Sequence, residues 1–257
     1  MRPHLNEHFF LSASGLITPL PAWEYHVHST HSDGSAPASE VIRHAVAMGI
    51  ERLILTEHTE DDLVGSGDWF SRYVDDVRRL QEQWAGKIDI RLGLEVPVMD
   101  FAGSLDLTEA MLHEADFILG AVHAFPEKDW RSGYRNATEA IDIEFRASIG
   151  LLDNPLVDAI AHPGGVCNRY ISSFPMDLFE AIVIRATERK IAVELNPAYH
   201  EPMQPYLDIC RRHEALISPG SNAHDPSQIG DAIRVLENTL MRGIQTKTTI
   251  RPSRVPK

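Results

Sequence analysis

Residues 52–58 read RLILTEH. Leu53, Ile54, Leu55 and Thr56 follow one another with no polar alternation, the form of a strand covered on both faces in a parallel sheet. The run closes on an acid and an imidazole, Glu57 and His58. The same form returns at DAIAH, residues 158–162. Working outward from these two runs, the chain offers candidate strands at Trp23–His28, Arg52–Thr56, Ile88–Glu95, Phe117–Val122, Val157–Ala161, Ile191–Leu195 and Ala215–Pro219. Helix-like segments separate them at Ala38–Met48, Trp69–Trp84, Leu107–Glu114, Thr138–Leu152, Pro175–Lys190, Gln204–His213 and Pro226–Met241. Val41, Ala45 and Met48 recur on one helical face, and Gly49 is a stop signal. Arg189 and Lys190 suit a helix C-terminus. Seven β–α units of about 30 residues predict an α/β fold with a closed or nearly closed parallel barrel. An open doubly wound sheet is the competing arrangement, and pattern alone does not separate the two.

The composition narrows the function. The 257 residues carry a net charge of −13, which repels phosphate backbones and disfavours nucleic-acid partners, a DNA exonuclease role included. No uncharged apolar run approaches the ~20 residues of a membrane span. Cys167 and Cys210 show no metal-type spacing and read as reduced thiols, so the expected compartment is the cytoplasm. One domain is expected over residues 1–257, with a leader at 1–22 packing on it and a basic, proline-bearing tail at 245–257.

Almost every candidate strand ends in a histidine or an acid. The ends supply His26 and His28, His58, Glu95, His123, His162, Glu194 with Asn196, and Asn222 with His224. In a parallel barrel these ends share one mouth, where catalytic groups gather. A single histidine at a strand end is an ordinary hydrogen-bonded cap. Six of them converging with Glu95 need partners, because buried polar groups are rarely left unpaired. A metal supplies such a partner. His26 and His28 lie two apart on a strand, so their rings point to one side. The turn STHSDG then returns Asp33 towards the mouth. His4, His8, His44, His113, His200 and His213 lack this placement, and His31 is a weaker candidate. A nitrogen-rich set suits zinc, manganese or iron rather than calcium or magnesium. It exceeds the needs of one tetrahedral ion, so two or three divalent ions are expected. They would leave the mouth positive in an acidic protein, a trap for a small anion such as a phosphate monoester.

The motifs HVHSTHSDG, LTEH, GLEV, GAVHAF, AHPGG and GSNAH, in this order over about residues 23–230, resemble those of the PHP (polymerase and histidinol phosphatase) family. The resemblance implies a distorted (β/α)7 TIM-like barrel, a trinuclear metal centre and phosphoesterase activity. It assigns His26, His28 and Glu95 to a first ion and Glu95, His123 and His162 to a second, with Glu95 bridging. Asp33, His58 and His224 fall to a third. The family's last motif usually reads Asp-x-His, and here Asn222 stands in the Asp position. Its amide oxygen can still coordinate, but without charge.

The expected reaction is hydrolysis of a small soluble phosphate ester by a metal-bound hydroxide, with Asp33 or His224 assisting the leaving group. Arg169 and Arg135 are candidates for gripping the phosphate, since guanidinium matches its geometry. The long segment 124–137 reads as a lid or a specificity element, with Trp130 either covering substrate or packing as an ordinary core aromatic. Glu194 and Asn196 read as groups that orient a ligand histidine. Two further readings remain: a weakened metal-binding or regulatory module marked by Asn222, and histidinol phosphate phosphatase specifically. An amidohydrolase with a carbamylated lysine is disfavoured, because no strand ends in Lys. Oligomeric state is not readable.

Overall fold

The computed structural model describes residues 5, 7–65, 67–123 and 134–249. In chain order its strands are β1 (Leu11–Ser12), β2 (Trp23–Val27), β3 (Arg52–His58), β4 (Asp89–Pro97), β5 (Phe117–Ala121), β6 (Ala159–Ile160), β7 (Ala192–Leu195) and β8 (Leu216–Pro219). The helices are α1 (Ala38–Ala47), α2 (Trp69–Gln83), α3 (Glu109–Glu114), α4 (Ala137–Asp153), α5 (Gly165–Tyr170), α6 (Met176–Arg189), α7 (Met203–Arg212) and α8 (Asp231–Thr249). Strands β2 to β8 are parallel and in sequence order, as the unbroken apolar runs predicted, and β1 pairs antiparallel with β8.

The sheet is a curled half-barrel rather than a flat open sheet. Its two ends approach each other through the segment after β8. Val27 bridges Ala223, His28 N–H donates to the Ala223 carbonyl at 2.9 Å, and Ala223 N–H donates to the His26 carbonyl at 3.1 Å. The doubly wound alternative is thereby set aside.

Small residues alternate with large ones inside the curl. Ala121, Ala159, Ala161 and Ala192 pack with Tyr25, Ile54, Phe117 and Leu119. Phe10 enters this cluster from the N-terminal segment, and Tyr25 donates to the Phe9 carbonyl at 2.6 Å. Burying each such aromatic side chain contributes about 1.5–3 kcal/mol, so the lower end of the curl is a packed plug and not a passage. Two larger apolar clusters lie between sheet and helices.

Three local features differ from the sequence reading. Helix α5 follows β6 through Gly164, which has φ of +81° and starts the helix at Gly165. The last helix begins at Asp231, after a short 3-10 turn at Pro226–Gln228. It then runs to Thr249, so residues 245–249 are helical where a tail was expected. Residues 250–257 and the greater part of segment 124–137, Trp130 included, lie outside the described residues. Among the described residues no helix is long and apolar enough to cross a membrane.

Candidate metal centre

The C-terminal ends of the strands carry the chemistry, as parallel barrels require. His26 lies on β2, His58 ends β3, and Glu95 lies opposite His58 in the β3–β4 register. His123 and His162 each follow their strand by two residues. Asn222 and His224 sit on the segment that meets β2.

These side chains form three overlapping groups whose ligand atoms lie within 4.8 Å of one another: His26, His28 and Glu95; Glu95, His123 and His162; and His28, Asp33, His58 and His224. Glu95 joins the first two. Its Oε2 is 3.1 Å from His26 Nε2 and 3.4 Å from His28 Nε2, and its Oε1 is 2.9 Å from His123 Nε2 and 3.2 Å from His162 Nε2. Asn222 Oδ1 lies 3.0 Å from His28 Nε2, which turns the amide oxygen towards the first group. His224 Nε2 lies 3.2 Å from Asp33 Oδ2. Glu95 and His26 are fully buried, whereas the Asp33 and His224 side chains are about a third exposed, so the centre opens at that side.

Asp33 is delivered by the turn at 29–34. The buried Glu57 carboxylate accepts from Ser29 N–H and from the Ser29 and Ser32 hydroxyls. A Cβ at Gly34 would stand 2.5 Å from the His28 carbonyl oxygen, so only glycine closes the turn without displacement. Glu24 supports the opposite rim, accepting from Ser221 N–H, the Ser221 hydroxyl and Gly230 N–H. Asn222 has φ of +54° and His162 has φ of +25°, a left-handed backbone that non-glycine residues seldom adopt. Such strain persists only where the surroundings impose it.

Two acids, Glu194 buried and Glu60 half-buried, fix the rings. His26 Nδ1 lies 2.6 Å from Glu194 Oε1, and Glu194 Oε2 accepts from His162 N–H at 2.6 Å. His123 Nδ1 lies 2.6 Å from Glu60 Oε1. In both rings the Nδ1 side is committed, which leaves Nε2 facing Glu95. Asn196 Nδ2 donates to Glu194.

Burial raises the pKa of an acid, yet the His26 and His123 imidazoles outweigh it and hold Glu95 well below the usual carboxylate range. Burial would lower His26, but Glu95 and Glu194 overcome it and push it up to about 10. His123 is raised in the same way by Glu95 and Glu60. Glu60 is held down to about 2 by His123 and His58 against its burial. His28 goes the other way, lowered by burial and by the neighbouring His58 and His26. The carboxylates therefore demand positive charge that the crowded imidazoles cannot all supply.

Within this cluster three buried atoms carry no hydrogen bond: Glu95 Oε2, His28 Nδ1 and His58 Nδ1. A carboxylate oxygen left so amid imidazole nitrogens costs free energy unless a cation takes it. The donor set, imidazole with carboxylate, suits divalent transition ions. The residues present thus fit divalent cations.

Arg169 lies near this rim, its Nη1 donating to Tyr199 Oη at 3.1 Å. Arg135 is not brought to the cluster: it is exposed and pairs with Glu139 at the start of α4. The i,i+4 spacing to Glu139 was the signal for that pairing. His31 pairs with Asp76, outside the cluster. Glu60 and Tyr199 were not singled out by sequence. Glu60 stands two residues after His58, which is its only signal, and Tyr199 has none.

The PHP domain family matches residues 24–198, and the chain belongs to that family. A probable phosphatase of Acetivibrio thermocellus is 28% identical over 217 residues, covering 80% of this chain and 82% of its own. One from a Thermoanaerobacter species is 27% identical over 226 residues, covering 81% and 84%. Among solved structures, histidinol phosphate phosphatase from Lactococcus lactis, complexed with zinc, L-histidinol and phosphate, superposes with a TM-score of 0.67 at 18% identity, covering 86% of this chain and 92% of its own. A histidinol phosphatase homologue from Listeria monocytogenes gives 0.68 at 15% identity, covering 81% and 97%. These two share the distorted TIM-like barrel fold with this chain.

Proposed function

We propose that this phosphoric ester hydrolase cleaves a small soluble phosphate monoester, using divalent cations held by the three groups of side chains. His26, His28 and Glu95, with Asn222, would hold the first; Glu95, His123 and His162 the second; Asp33, His58 and His224 the third. The observation that carries this reading is Glu95, a fully buried carboxylate with five imidazoles within 3.4 Å and one oxygen without a hydrogen bond. Bound cations supply the positive charge that activates water and neutralises phosphoryl oxygens.

The chain's own groups do the rest. Glu194 and Glu60 hold the His26 and His123 rings with Nε2 turned inward. Asp33 and His224, at the open side, are placed beside a departing alkoxide. Arg169 supplies a planar cation for the phosphate. The net charge of −13 disfavours nucleic acids and favours small substrates. The two buried free cysteines favour the cytoplasm.

Protein purified without chelator should contain two to three zinc, manganese or iron ions per chain by elemental analysis. With manganese or zinc it should release phosphate from an aryl phosphate, and histidinol phosphate belongs in the same screen. Fully metallated protein inert towards every phosphate ester would overturn the reading. A weakened binding module is the second reading, favoured by Asn222 alone. It predicts that activity appears only after Asn222→Asp.

A further inference from the structure

Tyr199 stands in the segment between β7 and α7, outside the three ligand groups. Its Oη accepts two hydrogen bonds, from Asn222 Nδ2 at 3.3 Å and from Arg169 Nη1 at 3.1 Å. A phenol oxygen has one proton and two lone pairs. Both neighbours are donors at these contacts, so neither can take the proton. The ring is held against His162, centroids 4.6 Å apart and planes at 32°. The residue is only partly covered. The hydroxyl hydrogen is therefore free to point at whatever enters the rim beside Arg169.

The identity of residue 222 sets this polarity. The Asn222 oxygen faces His28 Nε2 at 3.0 Å, which commits the amide nitrogen to Tyr199. A carboxylate at 222 has no proton to give and would accept the phenol hydrogen. The amide reverses the direction of that hydrogen bond.

We propose that Tyr199 and Arg169 form a two-point clamp for the non-bridging oxygens of the substrate phosphoryl group. Asn222 is a positioning residue that keeps the Tyr199 proton available. The proposal rests on the phosphate-ester reading above. It gives the replacement of Asp by Asn a gain in phosphate recognition, where charge alone predicts only weaker ion binding.

The test uses the full chain loaded with manganese. Inorganic phosphate affinity is measured by calorimetry, and kcat and KM with an aryl phosphate, for the wild type, Tyr199→Phe, Asn222→Asp and the double variant. Tyr199→Phe keeps the ring on His162 and removes only the hydroxyl. It should weaken phosphate binding about tenfold or more and raise KM in step, with metal content unchanged. In the Asn222→Asp background the same change should alter phosphate affinity less than about twofold, because the carboxylate already holds the proton. Unchanged phosphate affinity in Tyr199→Phe, equal losses in both backgrounds, or loss of metal with the hydroxyl would each overturn the clamp. A wild type that neither binds phosphate nor cleaves its esters would remove the underlying reading, and the clamp with it.

Discussion

Glu194 holds His26 at 2.6 Å, carboxylate to Nδ1, with both side chains essentially buried. The same carboxylate takes the backbone N–H of His162 through its other oxygen. One acid thus sets a ring on the first strand of the parallel series and a loop four strands away. Glu194→Gln keeps the shape and removes the charge. Metal affinity should fall about 10–100-fold, as measured by competition with a chromogenic chelator, with the fold retained by circular dichroism.

Gly220 guards the same acid. A Cβ there would lie 2.1 Å from Glu194 Oε1 and 2.7 Å from His26 Cβ. Gly220→Ala should therefore lower metal affinity in the same direction as Glu194→Gln, although residue 220 offers no ligand atom. An alanine variant with wild-type metal content would show that Glu194 can move without consequence.

Glu60 plays the corresponding part for His123. Glu60→Gln retains an acceptor and should cost a few-fold in affinity, whereas Glu60→Ala removes it and should cost about tenfold or more. Stepwise metal titration should show that loss in the steps assigned to His123 and His58, the two rings Glu60 touches, with the step assigned to His26 and His28 preserved.

His200 gives a pH signature at a ring that is not itself in the ligand groups. Its Nδ1 accepts from Asn196 N–H and its Nε2 donates to the Pro163 carbonyl, an arrangement that requires the neutral ring. Burial lowers its pKa to about 4. The unfolded ring titrates near 6.5, so between these values the unfolded state binds more protons. This contribution is fully present above about pH 6.5 and is lost as pH falls towards 4, by an amount on the order of 3 kcal/mol. Nitrogen NMR should show His200 as the neutral Nε2–H tautomer at pH 5.5. In denaturant melts, His200→Asn should flatten the acid side of the stability curve.

The strand ends were legible because a parallel barrel converts sequence position into place. RLILTEH and DAIAH each announce a covered strand and the residue at its mouth, and the structure puts His58 and His162 there. Helix α5 was not legible: six residues after a left-handed Gly164 give too little periodicity to detect. Arg135 shows what a reading by residue type leaves out: its partner four residues on, Glu139. Tyr199 was invisible for a different reason. It sits in a connection, where neither spacing nor burial pattern marks a residue, and only the fold brings it to Asn222.

The junction between Val27 and Ala223 joins the two ends of the sheet, and the residues on either side of Ala223 are Asn222 and His224. Shutting the ring and bringing Asn222 and His224 to the other proposed ligands are consequently a single event. A nascent polypeptide released short of that point would have most of its strands and no working mouth. In the finished protein, an ion shared by Glu95 and Asn222 would act as a rivet across the seam, so that stripping it with a chelator should loosen the first and last strands before the middle of the sheet.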